Sequence, residues 1–397
     1  MPELTPTPLT AEPLEILRTR TSEKWTAHPD DVIPMFVAEM DYRLAPPVAE
    51  ALLKHITLSD TGYVDGAEPA ASAFADFASL RWGWSVDPSL VTTTTDVSVA
   101  IVETLRATLT PGDGVVITPP VYPPFFELVG EAGGAVIEVP LLRAETDDDA
   151  EASGPSWSLD LDGLERAFAA GARALLLCNP HNPLGLVHSR EVLERVAELA
   201  AQYDVTVVSD EIHAPLTHPG VAFTPFLSVS DAAREVGIAT PSASKAFNLA
   251  GVKCALIVAG SERGRAILDR MPVEVLWRTS ILGRAATAAG FGQSGQWLDE
   301  LLATLAANRE LLRRTLAEEL PGAVLHEPQA SYLAWIDFSA LGFGDDPAEV
   351  ILREARVALS RGLDFGTQGA GFARLNFACE PKVLVEALRR IAAIVPR

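Results

Sequence analysis

The sequence has few basic residues and no long apolar run, and each shortage excludes a class of protein. Lys and Arg number 31 against 53 Asp and Glu, a formal net charge of −22, whereas nucleic acid binding needs a basic surface. A membrane helix needs about 18 consecutive apolar residues, and no such run is present. Residues 1–20 are rich in Pro, Thr and Glu, unlike a signal peptide. We therefore expect a protein that binds neither nucleic acid nor membrane.

Cysteine is also scarce. Cys178, Cys254 and Cys379 are the only three, and they lie far apart, each within an apolar segment. Such spacing indicates buried free thiols, as in the reducing cytoplasm, rather than disulfides or a metal site. We therefore predict a cytoplasmic protein without a metal centre.

The length and composition predict two domains. A chain of 397 residues exceeds the size at which a single core usually stops growing, and its 48% hydrophobic residues can fill sizeable cores. The acidic excess predicts a well-solvated surface. The run Asp147–Asp149 is interpreted as an exposed loop within that surface.

The middle of the chain alternates short apolar segments with amphipathic helical patterns. One such helix is predicted over 189–203, with Val192, Val196 and Leu199 on one face. The alternation predicts an α/β fold of three layers, in which a doubly wound, mainly parallel sheet lies between helices. The predicted strands are 114–118, 174–178, 205–209, 237–240 and 254–259.

The C-terminal part of the chain has a different pattern. Long helical segments are predicted between 283 and 319, and the Leu-Pro-Gly at 320–322 ends them. A smaller α+β domain is predicted to follow from the mixture of strands and helices after this point. Its predicted elements are strands at 331–338 and 372–378 and helices at 346–361 and 382–394.

Lys245 lies in Ser-Ala-Ser-Lys-Ala-Phe-Asn-Leu-Ala-Gly, residues 242–251, which is the most informative segment. A lysine among small hydroxyl residues suits a Schiff base with an aldehyde cofactor such as pyridoxal phosphate. Ser242 and Ser244 could hold its phosphate, and Gly251 would allow a close approach of the backbone. Taken alone, the same string also fits an ordinary loop with a solvated lysine.

Two polar residues follow predicted strands, where ligands of open α/β sheets bind. Asp210, in Val-Val-Ser-Asp-Glu-Ile-His, is a candidate acid beneath a pyridine nitrogen, and Asn182, in Asn-Pro-His-Asn-Pro-Leu-Gly, could bond a phenolic oxygen. Glu211 competes with Asp210, but strand alternation directs only one of them towards a pocket. The alternatives are a helix cap or surface carboxylate for Asp210 and a rigid turn for Asn182.

Further candidates lie upstream. The hydroxyl-rich segment 92–98 precedes a helical pattern that runs to Leu109, so its free N–H groups could bind an anion; simple N-capping is the alternative. Tyr122, in the stiff turn 119–124, could stack on a flat heterocycle or be an ordinary core aromatic.

Arg374 lies within the apolar segment Gly-Phe-Ala-Arg-Leu-Asn-Phe, residues 371–377. An unpaired buried charge is costly, so such an arginine marks either a structural ion pair or a functional cation. Its planar guanidinium would suit bidentate binding of a carboxylate.

Together these motifs resemble one family. Over nearly the whole chain, their order is similar to that in fold-type I pyridoxal phosphate enzymes of the class I/II aminotransferase superfamily. The residues in this order are Tyr63, Asp96, Tyr122, Asn182, Asp210, Lys245 and Arg374. Three segments further resemble the cystathionine β-lyase or cysteine-S-conjugate β-lyase branch. They are Pro-Met-Phe-Val-Ala-Glu-Met-Asp-Tyr at 34–42, Ser-Asp-Glu-Ile-His at 209–213 and Phe-Ala-Arg-Leu-Asn-Phe at 372–377.

The resemblance implies a role for each residue. Lys245 would form the Schiff base, Asp210 would pair with the ring nitrogen, and Arg374 would bind the α-carboxylate of an amino-acid substrate. Tyr63, also counted as catalytic, would reach the phosphate in the neighbouring subunit, which implies a homodimer with shared active sites. The other implied contacts with the cofactor are Asn182 on the 3′-oxygen, Tyr122 on the ring, and Thr95, Asp96, Val97, Ser242 and Ser244 on the phosphate.

The chain departs from many relatives at two of these positions. His213 replaces a tyrosine that bonds the 3′-oxygen, a histidine being typical of the lyase branch, and Lys253 replaces a phosphate-binding arginine and lacks its fork. The implied domains are an arm at 1–45 packed with the small domain, a large cofactor domain at 46–285 and a small domain at 286–397.

The implied activity is carbon–sulfur β-lysis of cystathionine or cysteine S-conjugates to a thiol, pyruvate and ammonia. An aminotransferase is the alternative, because both reactions begin with removal of the α-proton. A non-catalytic regulator with this fold is a more remote alternative, and the chain carries no basic segment for DNA.

Overall fold

The computed structural model describes residues 8–144 and 157–396 of the chain. The run Asp147–Asp149, predicted as an exposed loop, lies outside these residues. The strands are β1 (Ile33–Pro34), β2 (Val91–Thr94), β3 (Gly114–Ile117), β4 (Ala135–Glu138), β5 (Leu142–Arg143), β6 (Trp157–Ser158), β7 (Ala174–Cys178), β8 (Thr206–Asp210), β9 (Gly237–Thr240), β10 (Ala255–Ala259), β11 (Val324–His326), β12 (Leu333–Asp337), β13 (Val357–Ala358), β14 (Ser360–Arg361) and β15 (Phe372–Asn376).

The helices between these strands range from single turns to one of 25 residues. They are α1 (Leu14–Leu17), α2 (Glu23–Thr26), α3 (Pro46–Thr57), α4 (Ala70–Trp82), α5 (Val97–Thr108), α6 (Pro124–Glu131), α7 (Leu161–Ala169), α8 (Arg190–Gln202), α9 (Asp231–Val236), α10 (Ala243–Ala246), α11 (Glu262–Leu268), α12 (Glu274–Trp277), α13 (Ile281–Gln293), α14 (Gly295–Glu319), α15 (Pro347–Ala355) and α16 (Pro381–Ala393). No helix among them is long and apolar enough to cross a membrane.

A seven-stranded sheet in the order β2-β10-β9-β8-β7-β3-β4 forms the centre of the fold. Its strands β9, β8, β7, β3 and β4 run parallel, and β10 is antiparallel to both of its neighbours. Alternate residues of β7 enter two cores: Leu175 and Leu177 pack with α7, α8 and α9, and Leu176 and Cys178 pack with α5 and α6. The predicted three-layer, mainly parallel α/β fold is thus confirmed.

The register of this sheet brings polar residues to one edge. Cys178 is paired with Asp210, and Asp210 with Thr240, so β7, β8 and β9 end side by side. The segments that follow carry Asn182, His213 and Lys245. The carboxyl ends of parallel strands form the ligand-binding edge of doubly wound sheets.

The C-terminal part contains a second, four-stranded antiparallel sheet in the order β11-β12-β15-β14. The N-terminal arm contacts this part through β1, which pairs in parallel with β13. Residues 36–39 then pass between the two sheets, and Asn376 of β15 donates hydrogen bonds to the carbonyls of Val37 and Glu39, both at 2.7 Å. The proposed domain boundaries at residues 45 and 285 stay a prediction.

The helix predicted over 346–361 is wrong in its second half. Helix α15 ends at Ala355, and Arg356 has a left-handed backbone with φ of 56°. The residues after it are β13, paired with the arm, and β14, paired with β15. Pairing with segments distant in sequence therefore overrides the local helical pattern.

Candidate active site

Most of the predicted site residues line one cavity of about 500 Å³ at the carboxyl edge of the large sheet. A larger cavity, of about 760 Å³, lies beside the N-terminal arm and contains none of them. The chemistry of the lining therefore selects the smaller cavity. Its charged and polar lining consists of Glu23, Glu39, Asp96, Ser98, Tyr122, Asn182, Asp210, His213, Ser244, Lys245, Lys253, Ser360 and Arg374.

Lys245 lies in the short helix α10, whose N-cap is Ser242. Its Nζ donates a hydrogen bond to the carbonyl oxygen of Ala38 at 3.2 Å. Burial lowers the pKa of Lys245 to about 8, and the charge of Arg374 acts in the same direction. The neutral amine is therefore a minority species near physiological pH, but far more abundant than for an ordinary lysine, and can act as a nucleophile or a base.

Asp210 is the last residue of β8 and is buried. Its Oδ1 accepts a hydrogen bond from the Ile212 N–H at 3.1 Å, and burial raises the pKa of Asp210 to about 7. Glu211 lies outside the cavity, where its Oε1 accepts from the Phe226 N–H at 2.8 Å and from the Ser209 hydroxyl at 3.1 Å. Of these two neighbouring carboxyls, Asp210 is thus the one that faces the cavity, and a cation beside it would favour its ionised form.

Arg374 and Asn182 line the same cavity and contact each other. Arg374 donates from Nη1 to Asn182 Oδ1 at 3.0 Å, and from Nη2 to the Phe36 carbonyl at 2.9 Å and to Ser360 Oγ at 3.0 Å. All three acceptors are neutral, and Nε has no hydrogen-bond partner among the described residues. Burial lowers the pKa of Arg374 to about 10. A buried guanidinium bonded only to neutral groups has the charge and the donors to bind a carboxylate.

The bond to Arg374 also orients Asn182. Since the amide oxygen accepts from Nη1, the Nδ2 group is left to donate to a further acceptor in the cavity. His213 is buried in the lining of the same cavity, and its Nδ1 has no hydrogen-bond partner within residues 8–144 and 157–396. Burial lowers the pKa of His213 to about 3. A neutral imidazole and an amide donor fit a flat heterocycle that carries a phenolic oxygen.

The N-terminus of α5 also lines the cavity and can supply an anion site. Asp96 caps the helix by accepting from the Val99 N–H at 3.0 Å, which leaves the N–H groups of Val97 and Ser98 without helical partners. Lys253 Nζ lies 3.0 Å from the other carboxylate oxygen of Asp96. Two free N–H groups beside an ammonium group fit a phosphate.

Three predicted residues do not line this cavity. The hydroxyl of Ser242 is hydrogen-bonded to backbone groups: its Oγ accepts from the Ser244 N–H at 3.1 Å and donates to the Cys254 carbonyl at 3.0 Å. It therefore positions Ser244. Thr95 is half-buried in the turn before α5. Tyr63 is 90% exposed on the surface. The roles assigned to these three side chains stay predictions.

Sequence reasoning missed several groups that shape the cavity. Ala38 and Phe36 act through backbone carbonyls, which carry no side-chain signal, although both lie in the motif 34–42. Tyr332 donates its hydroxyl to the Ala38 carbonyl at 2.9 Å, the same oxygen that Lys245 uses. Ser360 lies in the segment that the sequence wrongly predicts as a helix, so its place in the cavity could not be inferred. Its position beside Arg374 follows from the pairing of β14 with β15.

The residues present fit pyridoxal phosphate. The cavity combines a half-buried amine, a carboxyl without a cationic hydrogen-bond partner in the described part of the chain, an amide donor and an N–H site for phosphate. Each of these groups matches a different part of the cofactor: the aldehyde, the pyridine nitrogen, the phenolic 3′-oxygen and the phosphate, respectively.

Comparisons with known proteins agree with this fit. The family model described as aminotransferase class I and II matches residues 30–391. A Mycobacterium leprae protein described as a candidate cystathionine beta-lyase is 44% identical, over 98% of each chain. Cystathionine beta-lyase PatB of Bacillus subtilis is 36% identical, over 91% of this chain and 92% of its own.

A solved structure extends the similarity to the fold. A candidate pyridoxal-phosphate-dependent beta-cystathionase from Corynebacterium diphtheriae superposes with a TM-score of 0.89, at 33% identity, over 98% of this chain and 99% of its own. The predicted superfamily, its fold and its cofactor are thus confirmed. The chain belongs to the aminotransferase class I and II family.

Proposed function

We propose that the protein is a pyridoxal phosphate-dependent carbon–sulfur β-lyase that cleaves cystathionine or a cysteine S-conjugate to a thiol, pyruvate and ammonia. The observation that carries the proposal is the meeting of Lys245, Asp210 and Arg374 in one cavity. These groups suit removal of an α-proton from a carboxylate-anchored amino acid. The names of the relatives favour lysis over amino transfer as the step that follows.

The chain offers a partner for each end of the cofactor. Lys245 would carry it covalently, Asp210 would keep its ring nitrogen protonated, and Asn182 would donate to its phenolic 3′-oxygen. Lys253 and the first turn of α5 would hold its phosphate. When bound, the cofactor supplies an electron sink for the negative charge that remains on Cα after the proton is removed.

The protein's own groups then direct the reaction. Arg374 binds the α-carboxylate and fixes the orientation of the Cα–H bond. The amine of Lys245 would remove the α-proton as a general base, since its pKa of about 8 is close to the working pH. The Cβ–S bond breaks, the thiolate leaves with the electron pair, and the released enamine is hydrolysed to pyruvate and ammonia.

An aminotransferase is the second candidate, favoured by the description of the matching family model. The two activities share every role assigned above, but only the aminotransferase needs a keto acid to accept the amino group. The test is therefore incubation of the purified holoenzyme with cystathionine, with and without a keto acid. Pyruvate release without keto acid supports the lyase, and product formation only with keto acid supports the aminotransferase.

The proposal includes a homodimer with shared active sites, located in the cytoplasm. Its support is the exposure of Tyr63, together with Leu53, Ile56 and Leu58, which are 57–66% exposed in the neighbouring segment. A surface of this kind is suited to contact a second subunit. The cytoplasmic location is favoured by the three buried free cysteines.

A further inference from the structure

The backbone around Ala38 is held by the small sheet. Nδ2 of Asn376, on β15, donates hydrogen bonds to the carbonyls of Val37 and Glu39, both at 2.7 Å. These carbonyls flank Ala38 on either side, so the position of Ala38 between them is fixed. Its own carbonyl is therefore a fixed acceptor at the cavity that contains Lys245.

Two side chains from different parts of the fold share the carbonyl oxygen of Ala38. Lys245 Nζ donates to it at 3.2 Å, and the hydroxyl of Tyr332 donates to it at 2.9 Å. A carbonyl oxygen has two lone pairs, so the hydroxyl determines which of them is left for the amine. Its positive hydrogen also offsets part of the negative charge on the oxygen that would otherwise hold an ammonium group.

Tyr332 is a rigid and permanent donor. It is fully buried directly before β12, and Ser331, which precedes it, has a left-handed backbone with φ of 74°. The carbonyl of Ser331 accepts from His218 Nε2 at 2.6 Å, and its N–H donates to the Leu216 carbonyl at 2.9 Å. Burial raises the pKa of Tyr332 well above its ordinary value, so its hydroxyl keeps its proton.

The other groups that act on the amine do so through their charge. The charges of Arg374 and Lys253 lower the pKa of Lys245, and those of Glu39 and Asp210 raise it. The titratable and charged groups that face the amine from the surrounding elements are Glu39 on the arm, Asp210 and the neutral His213 at the end of β8, Lys253 after α10 and Arg374 on β15. Removal of one neutral hydroxyl leaves all of these groups in place.

We propose that Tyr332 is a positioning residue for the reactive amine: by donating to the Ala38 carbonyl, its hydroxyl orients Lys245 and weakens the hold of that carbonyl on the protonated amine. The proposal rests on the role given to Lys245 in the proposed function. Its consequence is that more of the amine is neutral near physiological pH than the same cavity would allow without the hydroxyl.

The test measures the reactivity of Lys245 in the full-length, cofactor-free protein. Trace acetylation with acetic anhydride, followed by peptide mapping, reports the neutral amine, and Lys382, whose side chain is 82% exposed, serves as the internal standard. Tyr332→Phe keeps the ring and removes the hydroxyl. Labelling of Lys245 at about pH 7 should fall roughly threefold to tenfold, the range that one neutral hydrogen bond contributes. At about pH 10 the rates of the two proteins should meet, because the amine is then neutral in both.

The pH dependence separates positioning from packing. A loss of labelling that is equal at every pH reports altered access to the cavity and would overturn the proposal, as would no loss at all. Tyr42→Phe is the matched control, because Tyr42 is a buried tyrosine on the same arm whose hydroxyl accepts from Asn308 at 3.4 Å, away from the cavity. It should leave the labelling of Lys245 unchanged.

A second change keeps the test decisive if Tyr332→Phe does not fold. Site-specific incorporation of 3-fluorotyrosine at position 332 retains the hydroxyl and makes it a stronger donor. Labelling of Lys245 at about pH 7 should then rise above the wild-type rate, because a stronger donor leaves the oxygen less able to hold an ammonium group. An unchanged or lower rate would overturn the proposal.

The holoenzyme provides an independent readout. With cystathionine in deuterated water, Tyr332→Phe should shift the acid limb of the pH profile for exchange at Cα to higher pH, while KM stays at the wild-type value because Arg374 is unaltered. A higher KM with an unshifted profile would contradict the proposal. Absence of pyruvate from cystathionine would reject the lyase alone, since acetylation of the cofactor-free protein tests Tyr332 whether or not the lyase reaction occurs.

Discussion

Replacement of Arg374 with lysine tests whether its planar fork, rather than its charge, binds the substrate carboxylate. The guanidinium reaches Asn182 with one nitrogen, and Phe36 and Ser360 with another. A single ammonium on a flexible stem cannot make these bonds and also bind a carboxylate at two points. Loss of one charge-assisted bond costs about 1.5–3 kcal/mol, so we expect KM for cystathionine to rise roughly tenfold to hundredfold.

The assay compares cystathionine with its α-methyl ester at the reacting end, in both proteins. The wild type should discriminate strongly against the ester, and Arg374→Lys should show little further loss, because the contact is already gone. Arg309→Lys is a matched control. Arg309 is half-buried, and the hydrogen bonds it makes to the described residues go to the neutral His218 and the Pro328 carbonyl, outside the cavity. Its kinetic constants should stay at wild-type values.

One result would refute this reasoning. If the wild-type enzyme processes the ester as well as the acid, Arg374 does not bind the carboxylate. Its role would then be structural, as the link that joins Asn182 to the Phe36 carbonyl and to Ser360.

The remaining predictions concern the cofactor, its acid partner and assembly. Borohydride reduction followed by peptide mapping should label Lys245, and Lys245→Ala should lose the visible band; a label on another lysine would contradict the assignment. Asp210→Asn should slow solvent deuterium exchange at Cα by orders of magnitude, because an amide cannot stabilise a protonated ring nitrogen, and exchange at the wild-type rate would exclude Asp210. In the cofactor-free protein, the folded-state pKa of Asp210 is raised from 3.8 to about 7. Its stabilising contribution is therefore present below its unfolded pKa and is lost as pH rises towards about 7. The melting temperature of the wild type should be lower at about pH 8 than at about pH 5, and Asp210→Asn should reduce this difference. An equal difference in the two proteins would contradict the raised pKa. Mixing inactive Tyr63→Phe protomers with inactive Lys245→Ala protomers should restore part of the activity, and failure despite proven subunit exchange would contradict shared sites.

Much of the site was predictable because its side chains interrupt apolar patterns. Asp210 follows the buried strand β8, and Asn182 and Lys245 come shortly after other strands of the same sheet. Arg374 is a charge within an apolar strand. Each of these positions breaks a pattern that local sequence makes visible, and the parallel register of the sheet brings the first three to one edge.

The remaining features depend on contacts between segments distant in sequence. The carbonyl of Ala38, which accepts from both Lys245 and Tyr332, has no signature in a side chain. The segment containing Ser360 and Arg361 has a local helical pattern, but its pairing with β15 makes it a strand.

The stoichiometry of products from cystathionine tests the central claim most directly. The holoenzyme is incubated with cystathionine and no keto acid, and homocysteine, pyruvate and ammonia are measured over time, with Lys245→Ala as the inactive control. A lyase should release the three products in equal amounts over many turnovers. Product formation that stops at one equivalent per active site, and resumes only when a keto acid is added, would contradict the account.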